Sequence, residues 1–383
     1  MKKIAVIGCG LGGAAITVML QKAGFNVKVY EQAKKFLKIG AGIHLTPNVV
    51  KALSRVGIKD SLMAISSKPN KFLSKDAHTG EVIAELVLDD VFKKQFNAPY
   101  LTVHRGEFHA LMVNEIIPSS LTFNKKLKEI IPNDNGVYLN FEDGSHDYVD
   151  IVIGADGLSS VVRSIVCKDE PPSFSGQAAF RALVDIEQLK RQGIMPDDLT
   201  KWWSDDRFVI AYYMNNSRDQ LYFVAGFPEY SWPQGIQFLE AEKEEMLKIF
   251  SDFHEIPLQI LKSAKEVKKW PLYERPAESA WSKGRVVLLG DACHPMRPHM
   301  AQGAAMAIED GAILVRSLET TGLEKVEQAF DIYQKTRQDR VAKVQQISGE
   351  NSWMRTTPDP TWLFTTDVWN NSLVAKKIIS NKF

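Results

Sequence analysis

Four glycines in six residues, Gly8-Cys9-Gly10-Leu11-Gly12-Gly13, stand between a short apolar run at 4–7 and a stretch of helical spacing at 14–23. A turn of this kind handles phosphate. Gly8 permits the tight bend, Gly10 lets backbone approach a pyrophosphate, and Gly13 lets helix and strand pack closely. The helix N-terminus adds free N–H groups and a partial positive charge. Glu31 closes a second, alternating strand at 26–31, about 20 residues on, where a carboxylate accepts hydrogen bonds from ribose hydroxyls. Strand, turn, helix, strand and terminal acid together read as a dinucleotide site. The motif does not separate FAD from NAD, and a glycine-rich turn without a ligand is its plainer reading.

Two more acids follow apolar runs. One is Asp156 in Gly154-Ala155-Asp156-Gly157, with Ser159, Ser160 and Arg163 behind it. The other is Asp291 in Gly290-Asp291-Ala292-Cys293-His294-Pro295, running on through Pro298 to Gln302-Gly303 and Glu309-Asp310-Gly311. Asp291 can accept from a sugar-alcohol hydroxyl, and a helix opening near Gly303 can aim N–H groups at an electron-rich edge. Plainer readings exist for each: Asp156 as a turn residue, Asp291 as a helix cap, and Arg105 of Val103-His104-Arg105-Gly106-Glu107-Phe108 as a surface ion-pair residue. Cys293 and His294 read as packing, since neither has a metal-ligand partner at suitable spacing; no metal is expected.

These motifs, in this order, resemble the single-component class A flavoprotein aromatic hydroxylases over nearly the whole chain. The resemblance implies bound FAD. Cofactor contacts would then fall to Gly8, Gly10, Leu11, Gly12, Gly13, Glu31, Gln32, His44, Arg105, Leu127, Asp156, Asp291, Gly303 and Ala304. Leu127 would lie near the adenine. No second G-x-G-x-x-G is present, which fits NADH or NADPH as a transient co-substrate beside O2. Reduced flavin with O2 gives an electrophile at the C4a position that attacks electron-rich rings, so the protein must exclude water, position the ring and remove a proton.

Three segments sharpen the resemblance: Lys38-Ile39-Gly40-Ala41-Gly42-Ile43-His44-Leu45-Thr46-Pro47-Asn48, Pro298-His299-Met300-Ala301-Gln302-Gly303, and Trp353-Met354-Arg355-Thr356-Thr357-Pro358-Asp359-Pro360. They are similar to members that decarboxylate and hydroxylate a hydroxylated pyridine carboxylic acid at one carbon. By that likeness His44 and Tyr212 bind and deprotonate the ring hydroxyl, and His299 sits over flavin and ring. Tyr213 competes with Tyr212 from the opposite face of a strand, and His44 and His299 could be ordinary loop histidines. Trp202-Trp203 reads as sheet packing. Phe208 and Leu199 stand where those members carry polar residues, which suits a benzenoid acid instead. Arg181 is the nearest plausible carboxylate clamp, although by the resemblance that arginine could serve the flavin or the fold instead. A salicylate or 3-hydroxybenzoate hydroxylase is the rival enzyme; a flavin-binding redox protein without hydroxylation is the rival from another class.

The elements that must hold these residues follow from pattern. The opening β-turn-α-β predicts a Rossmann-like, glutathione-reductase-like α/β domain. Strands are expected at 121–127, 137–141, 149–153 and 285–289, and helices at 304–318 and 326–348. Strand-like runs at 178–186, 201–203, 208–213 and 221–227 predict an antiparallel sheet. The domain expectation is a discontinuous FAD-binding portion of 1–70, 101–165 and 275–350, a substrate domain of 71–100 and 166–274, and a tail of 351–383 packed on the body. Lys and Arg (47) nearly cancel Asp and Glu (46) across 383 residues, so no nucleic-acid or membrane partner is expected. The apolar run before Cys9 is shorter than the roughly 7 residues of an export core. Three scattered cysteines, Cys9, Cys167 and Cys293, suit a reducing cytoplasm. The expected partner is a small aromatic hydroxy acid, and the expected state a monomer or homodimer.

Overall fold

The run after Lys2 becomes the strand Lys3–Ile7, whose Ile4, Ala5 and Val6 are wholly buried. It is apolar without alternation because both of its faces are covered, as in parallel sheets. Ile151–Gly154 and Asn26–Tyr30 flank it in parallel register. The full sheet runs Ser282–Lys283, Val286–Leu288, Ile151–Gly154, Lys3–Ile7, Asn26–Tyr30, Leu121–Thr122. Helix Leu11–Lys22 packs on helix Gly303–Thr321, where Gly311 approaches Ile16 so closely that an added Cβ would sit 3.2 Å from the Ile16 Cβ. The computed structural model describes residues 2–36, 40–167, 171–276 and 279–374. Lys38, Ile39 and residues 375–383 of the tail lie outside the described residues.

Two expected strands divide. The one at 121–127 stops at Thr122, because Asn124 adopts a left-handed φ of 57°. Leu127–Pro132 then starts a separate three-stranded antiparallel sheet with Val137–Phe141 and His146–Val149. The one at 149–153 breaks at Asp150 into His146–Val149 and Ile151–Gly154, which belong to different sheets.

The eight-stranded sheet runs Leu239–Glu240, Lys268–Glu274, Ser173–Val184, Leu221–Pro228, Phe208–Tyr213, Leu199–Trp203, Lys71–Asp76, Val82–Val87. Only the Leu199–Trp203 and Lys71–Asp76 pairing is parallel. Side chains alternate between its faces. Trp202, Val209, Ala211, Tyr213 and Phe223 fall on one face and pack with Met246 and Ile260 of the covering helices. The other face carries three cross-strand rows: Leu199, Tyr212 and Tyr222; Lys201, Ile210, Val224 and Arg181; Trp203, Phe208 and Gly226.

A short antiparallel pair, Gly42–Leu45 with Leu101–His104, sets His44 opposite Thr102. After helix Val326–Glu350 the chain returns over the body, where the Trp369 indole donates to the Ala52 carbonyl at 2.9 Å beneath the Arg55 guanidinium. Among the described residues no helix is long and apolar enough to cross a membrane.

Candidate active site

A cavity of about 450 Å³ opens at the carboxyl ends of the parallel strands, as expected for such sheets, and extends to the three-row face of the antiparallel sheet. The glycine turn divides its labour by position. Gly8, at φ +91°, could not carry a side chain, since a Cβ would lie 2.5 Å from the Ala155 carbonyl oxygen, and one on Gly13 would lie 2.1 Å from that of Gly8. Both glycines are required by the chain itself. A Cβ on Gly10 would meet nothing within 4 Å; its bare face lines the cavity with Leu11 and Gly12. Glu31 is buried, and its two carboxylate oxygens accept from the Cys9 and Ala33 backbone N–H groups, each at 2.8 Å. That carboxylate fixes the turn against the second strand and keeps free lone pairs for a ribose.

Asp291, Gly303 and Ala304 also line the cavity, with the first turn of helix Gly303–Thr321 facing it. Asp291 presents its surface to this void while lying deep in the molecule. Burial raises its carboxyl above the ordinary value, opposed by His294 and Arg105. Arg105, which opens helix Arg105–Asn114, reaches the same region. Like Gly8, Gly13 and Glu31, three further expected contacts, Asp156, Leu127 and Gln32, are not among the residues that line this cavity. The Asp156 carboxylate accepts from the Ser160 hydroxyl at 2.6 Å and from the Val161 and Val162 N–H groups, so it caps its own loop. Leu127 is buried at the start of the three-stranded sheet, and Gln32 is exposed.

At the far end His44, Tyr212 and His299 face one space. The rings of His44 and Tyr212 meet edge to face, centroids 4.3 Å apart. His44 Nδ1 shares a 2.8 Å hydrogen bond with the Tyr100 hydroxyl, an orienting partner that the sequence reading missed. Tyr212 can stand there because Gly42 has no side chain: a Cβ would meet its ring and hydroxyl at 2.5–2.8 Å. Tyr213 lies on the other face, under the Arg218 guanidinium. Burial, aided by Lys201, lowers His44 to about 3 and keeps the imidazole neutral; burial with Lys201 and Arg297 does the same to His299. Burial pushes the Tyr212 phenol well above its ordinary value, so it stays a donor.

Among the described residues, neither ring nitrogen of buried His299 has a hydrogen-bond partner. Two orphaned nitrogens beside a bare glycine cradle are what a bound cofactor and substrate would complete, so these residues fit a flavin dinucleotide. The Phe208 ring packs over Gly226, where a Cβ would lie 2.2 Å away, and meets His299 edge-on at 5.5 Å. Leu199 is fully buried beside Tyr212 and does not line the cavity. Lys201 does line it. Its position was legible in principle, because alternation from Tyr212 through the paired strands turns Leu199, Lys201 and Trp203 inward.

A family model described as FAD binding domain matches residues 1–348. The chain belongs to this FAD-binding family. Within it, the 6-hydroxynicotinate 3-monooxygenase of Pseudomonas fluorescens is 46% identical over 98% of both chains. That of Bordetella bronchiseptica is 45% identical over 97% of both, and the 3-amino-4-hydroxybenzoate 2-monooxygenase of Streptomyces cremeus is 30% identical over 94% of both. Among solved structures, a variant of Klebsiella pneumoniae HpxO complexed with FAD aligns with a TM-score of 0.80 at 25% identity, covering 92% of this chain and 89% of that one. A salicylate hydroxylase substrate complex aligns at 0.82 and 24% identity over 96% of each, a likeness of fold. The two sheets and the cavity between them are thus the α/β architecture of the FAD-binding family.

Proposed function

We propose that this chain is an FAD-dependent monooxygenase that consumes NADH or NADPH and O2 to convert 6-hydroxynicotinate to 2,5-dihydroxypyridine and CO2. The observation that carries the reading is the convergence of neutral His44, protonated Tyr212 and unpartnered His299 on one cavity end, in a chain so similar to two 6-hydroxynicotinate 3-monooxygenases. Gly10, Leu11, Gly12, Arg105, Asp291, Gly303 and Ala304 would hold the FAD from within the cavity, with Gly8, Gly13 and Glu31 fixing the turn beneath it. The 1–70, 101–165 and 275–350 portion would carry that cofactor, and the enzyme would work in the cytoplasm as a monomer or homodimer. FAD, when bound and reduced, supplies with O2 the electrophilic oxygen that the ring accepts.

The residues handle the ring's proton. In the tautomer where His44 Nδ1–H donates to Tyr100, Nε2 is free to accept the ring hydroxyl proton. The ring oxygen left negative pushes electron density toward the carbon that bears the carboxylate, and the Tyr212 O–H donates to that oxygen and holds it in place. His299 offers a donor and an acceptor from the opposite loop. Phe208, Ile210 and Trp353 give the cavity apolar lining, the kind of surface that helps to exclude water.

The test is anaerobic mixing of holoenzyme with NADH. Flavin reduction is expected to accelerate when 6-hydroxynicotinate is present, and aerobic turnover to release one CO2 per NADH. If no aromatic acid accelerates reduction, the hydroxylase reading is removed. One observation favours a second substrate: the Phe208 phenyl suits a benzenoid hydroxy acid such as salicylate or 3-hydroxybenzoate. Retention of the carboxylate during 3-hydroxybenzoate turnover, with no response to the pyridine acid, would select it.

A further inference from the structure

Lys201 is a lysine almost wholly inside the protein, 2% exposed, in the second residue row of the cavity floor. Among the described residues its ammonium meets no carboxylate. Its hydrogen bond runs to the Asn351 Oδ1 at 3.3 Å, and it lies 3.5 Å from the Trp203 ring centroid and 4.4 Å from that of Phe208. Arg355 flanks the same Trp203 ring at 4.6 Å, which adds positive charge rather than removing it. An isolated buried ammonium is costly, and folded proteins keep one only where an anion or a function compensates. No such anion stands beside it among the described residues, and the ammonium borders the cavity that also holds His44 and His299.

We propose that Lys201 is the counter-ion of the substrate's carboxylate and so determines which rings the enzyme accepts. This deepens the proposed function and rests on it. The sheet's register sets the geometry. Lys201 pairs with Ile210, two residues along the strand from Tyr212, so the two rows lie about 7 Å apart. A ring with its oxygen at Tyr212 and His44 and its carboxylate across from that oxygen bridges such a gap. Ile210, in the Lys201 row, and Phe208, in the row beyond it, give the ring apolar walls. Arg181, the clamp expected from sequence, occupies the same row but three strand spacings away, about 14 Å. There its charge is felt by Arg105, Tyr222 and Tyr212. Burial and Arg355 lower Lys201 well below the ordinary lysine value, so a bound carboxylate is also what would restore its charge.

The experiment compares an acid with its neutral amide on holoenzyme, following flavin absorbance as 6-hydroxynicotinate or 6-hydroxynicotinamide is titrated in. Lys201→Met is expected to weaken the acid by about 30-fold or more, the low end for a desolvated charge pair, while leaving amide binding where it was. Lys201→Arg should keep the preference for the acid. Parallel loss of acid and amide, or no loss of either, overturns the assignment. Should Lys201→Met fail to retain FAD, Lys201→Gln carries the same comparison. The proposed substrate fails separately. If wild-type holoenzyme ignores 6-hydroxynicotinate but binds salicylate or 3-hydroxybenzoate, that reading falls, and Lys201 is judged by the same ratio with that acid and its amide. Binding of no ring acid at all overturns both.

Discussion

Burial sets the protonation of both cavity histidines, and this makes the ligand-free protein sensitive to acid. His44 and His299 are each lowered to about 3 from an ordinary 6.5. Between those values the unfolded chain binds protons that the folded chain refuses, so stability is complete above about pH 6.5 and falls as pH drops toward 3. Going from pH 7 to pH 5 should cost about 2 kcal/mol per histidine. Urea denaturation of apoprotein at both values checks this: His299→Gln is expected to lose about 2 kcal/mol less than wild type over that step, and an equal loss would show that the imidazole titrates normally. At this scale the sequence was informative where a residue's role is local. The turn and packing roles of Gly8 and Gly13 could be read from spacing alone. Tyr100 could not, because its part is to orient His44 across a pairing of two short strands that no local pattern announces. Asp156 is ambiguous for a related reason. An acid after a strand serves a cofactor hydroxyl or its own loop equally well, and its carboxylate here accepts from the Ser160, Val161 and Val162 donors of that loop.

Elements fix what those residues can do through two glycines of opposite character. Gly10 faces open space, whereas Gly42 faces the Tyr212 ring. Gly10 also has φ −69°, which any residue adopts. Gly10→Ala is therefore expected to fold with stability within about 1 kcal/mol of wild type yet to bind FAD at least about tenfold more weakly, since its methyl occupies the pyrophosphate's approach. Gly42→Ala should do the reverse. It should keep FAD but lower kcat/KM about 100-fold by displacing Tyr212, the scale of a small misplacement at a reacting centre. Flavin content after gel filtration, with turnover per bound flavin, separates the two; FAD loss in Gly42→Ala would mean that the loop, not the tyrosine, was disturbed. The parallel strands and long helices were legible because their apolar patterns are continuous or strictly periodic. The breaks at Asn124 and Asp150 were not, since each hands the chain from one sheet to another, and only tertiary pairing decides where a run of apolar residues changes partners.

Across the whole molecule, one buried ion cluster joins several segments that border the cavity. Glu309 and Asp310, both fully buried on helix Gly303–Thr321, share Arg337 of helix Val326–Glu350. Glu309 also accepts from Arg340 at 2.8 Å and from Asn48 at 2.7 Å, while Asp310 takes the His294 ring at 2.6 Å and the Gly290 N–H at 3.2 Å. Asn48 in turn donates to Gln302, whose amide donates to Thr46. The segments bearing His44, Asp291 and His299 are thereby tied to one pair of carboxylates. Against the cost of burial, Arg340 and Arg337 hold Glu309 down at about 2, so it stays ionised through the working range. Such a cluster adds little net stability compared with an apolar core of the same shape, but removing one partner strands the rest. Arg337→Met is accordingly expected to lower stability by about 3–5 kcal/mol and to weaken FAD binding, because Gly290 and Asn48 lose their fixed acceptors together. Breaking the exposed Lys190–Glu187 pair with Lys190→Met should leave the denaturation midpoint unchanged. If Arg337→Met destabilised the fold but left the FAD affinity of the folded fraction intact, the cluster would be a fastening between two helices and not the frame of the site.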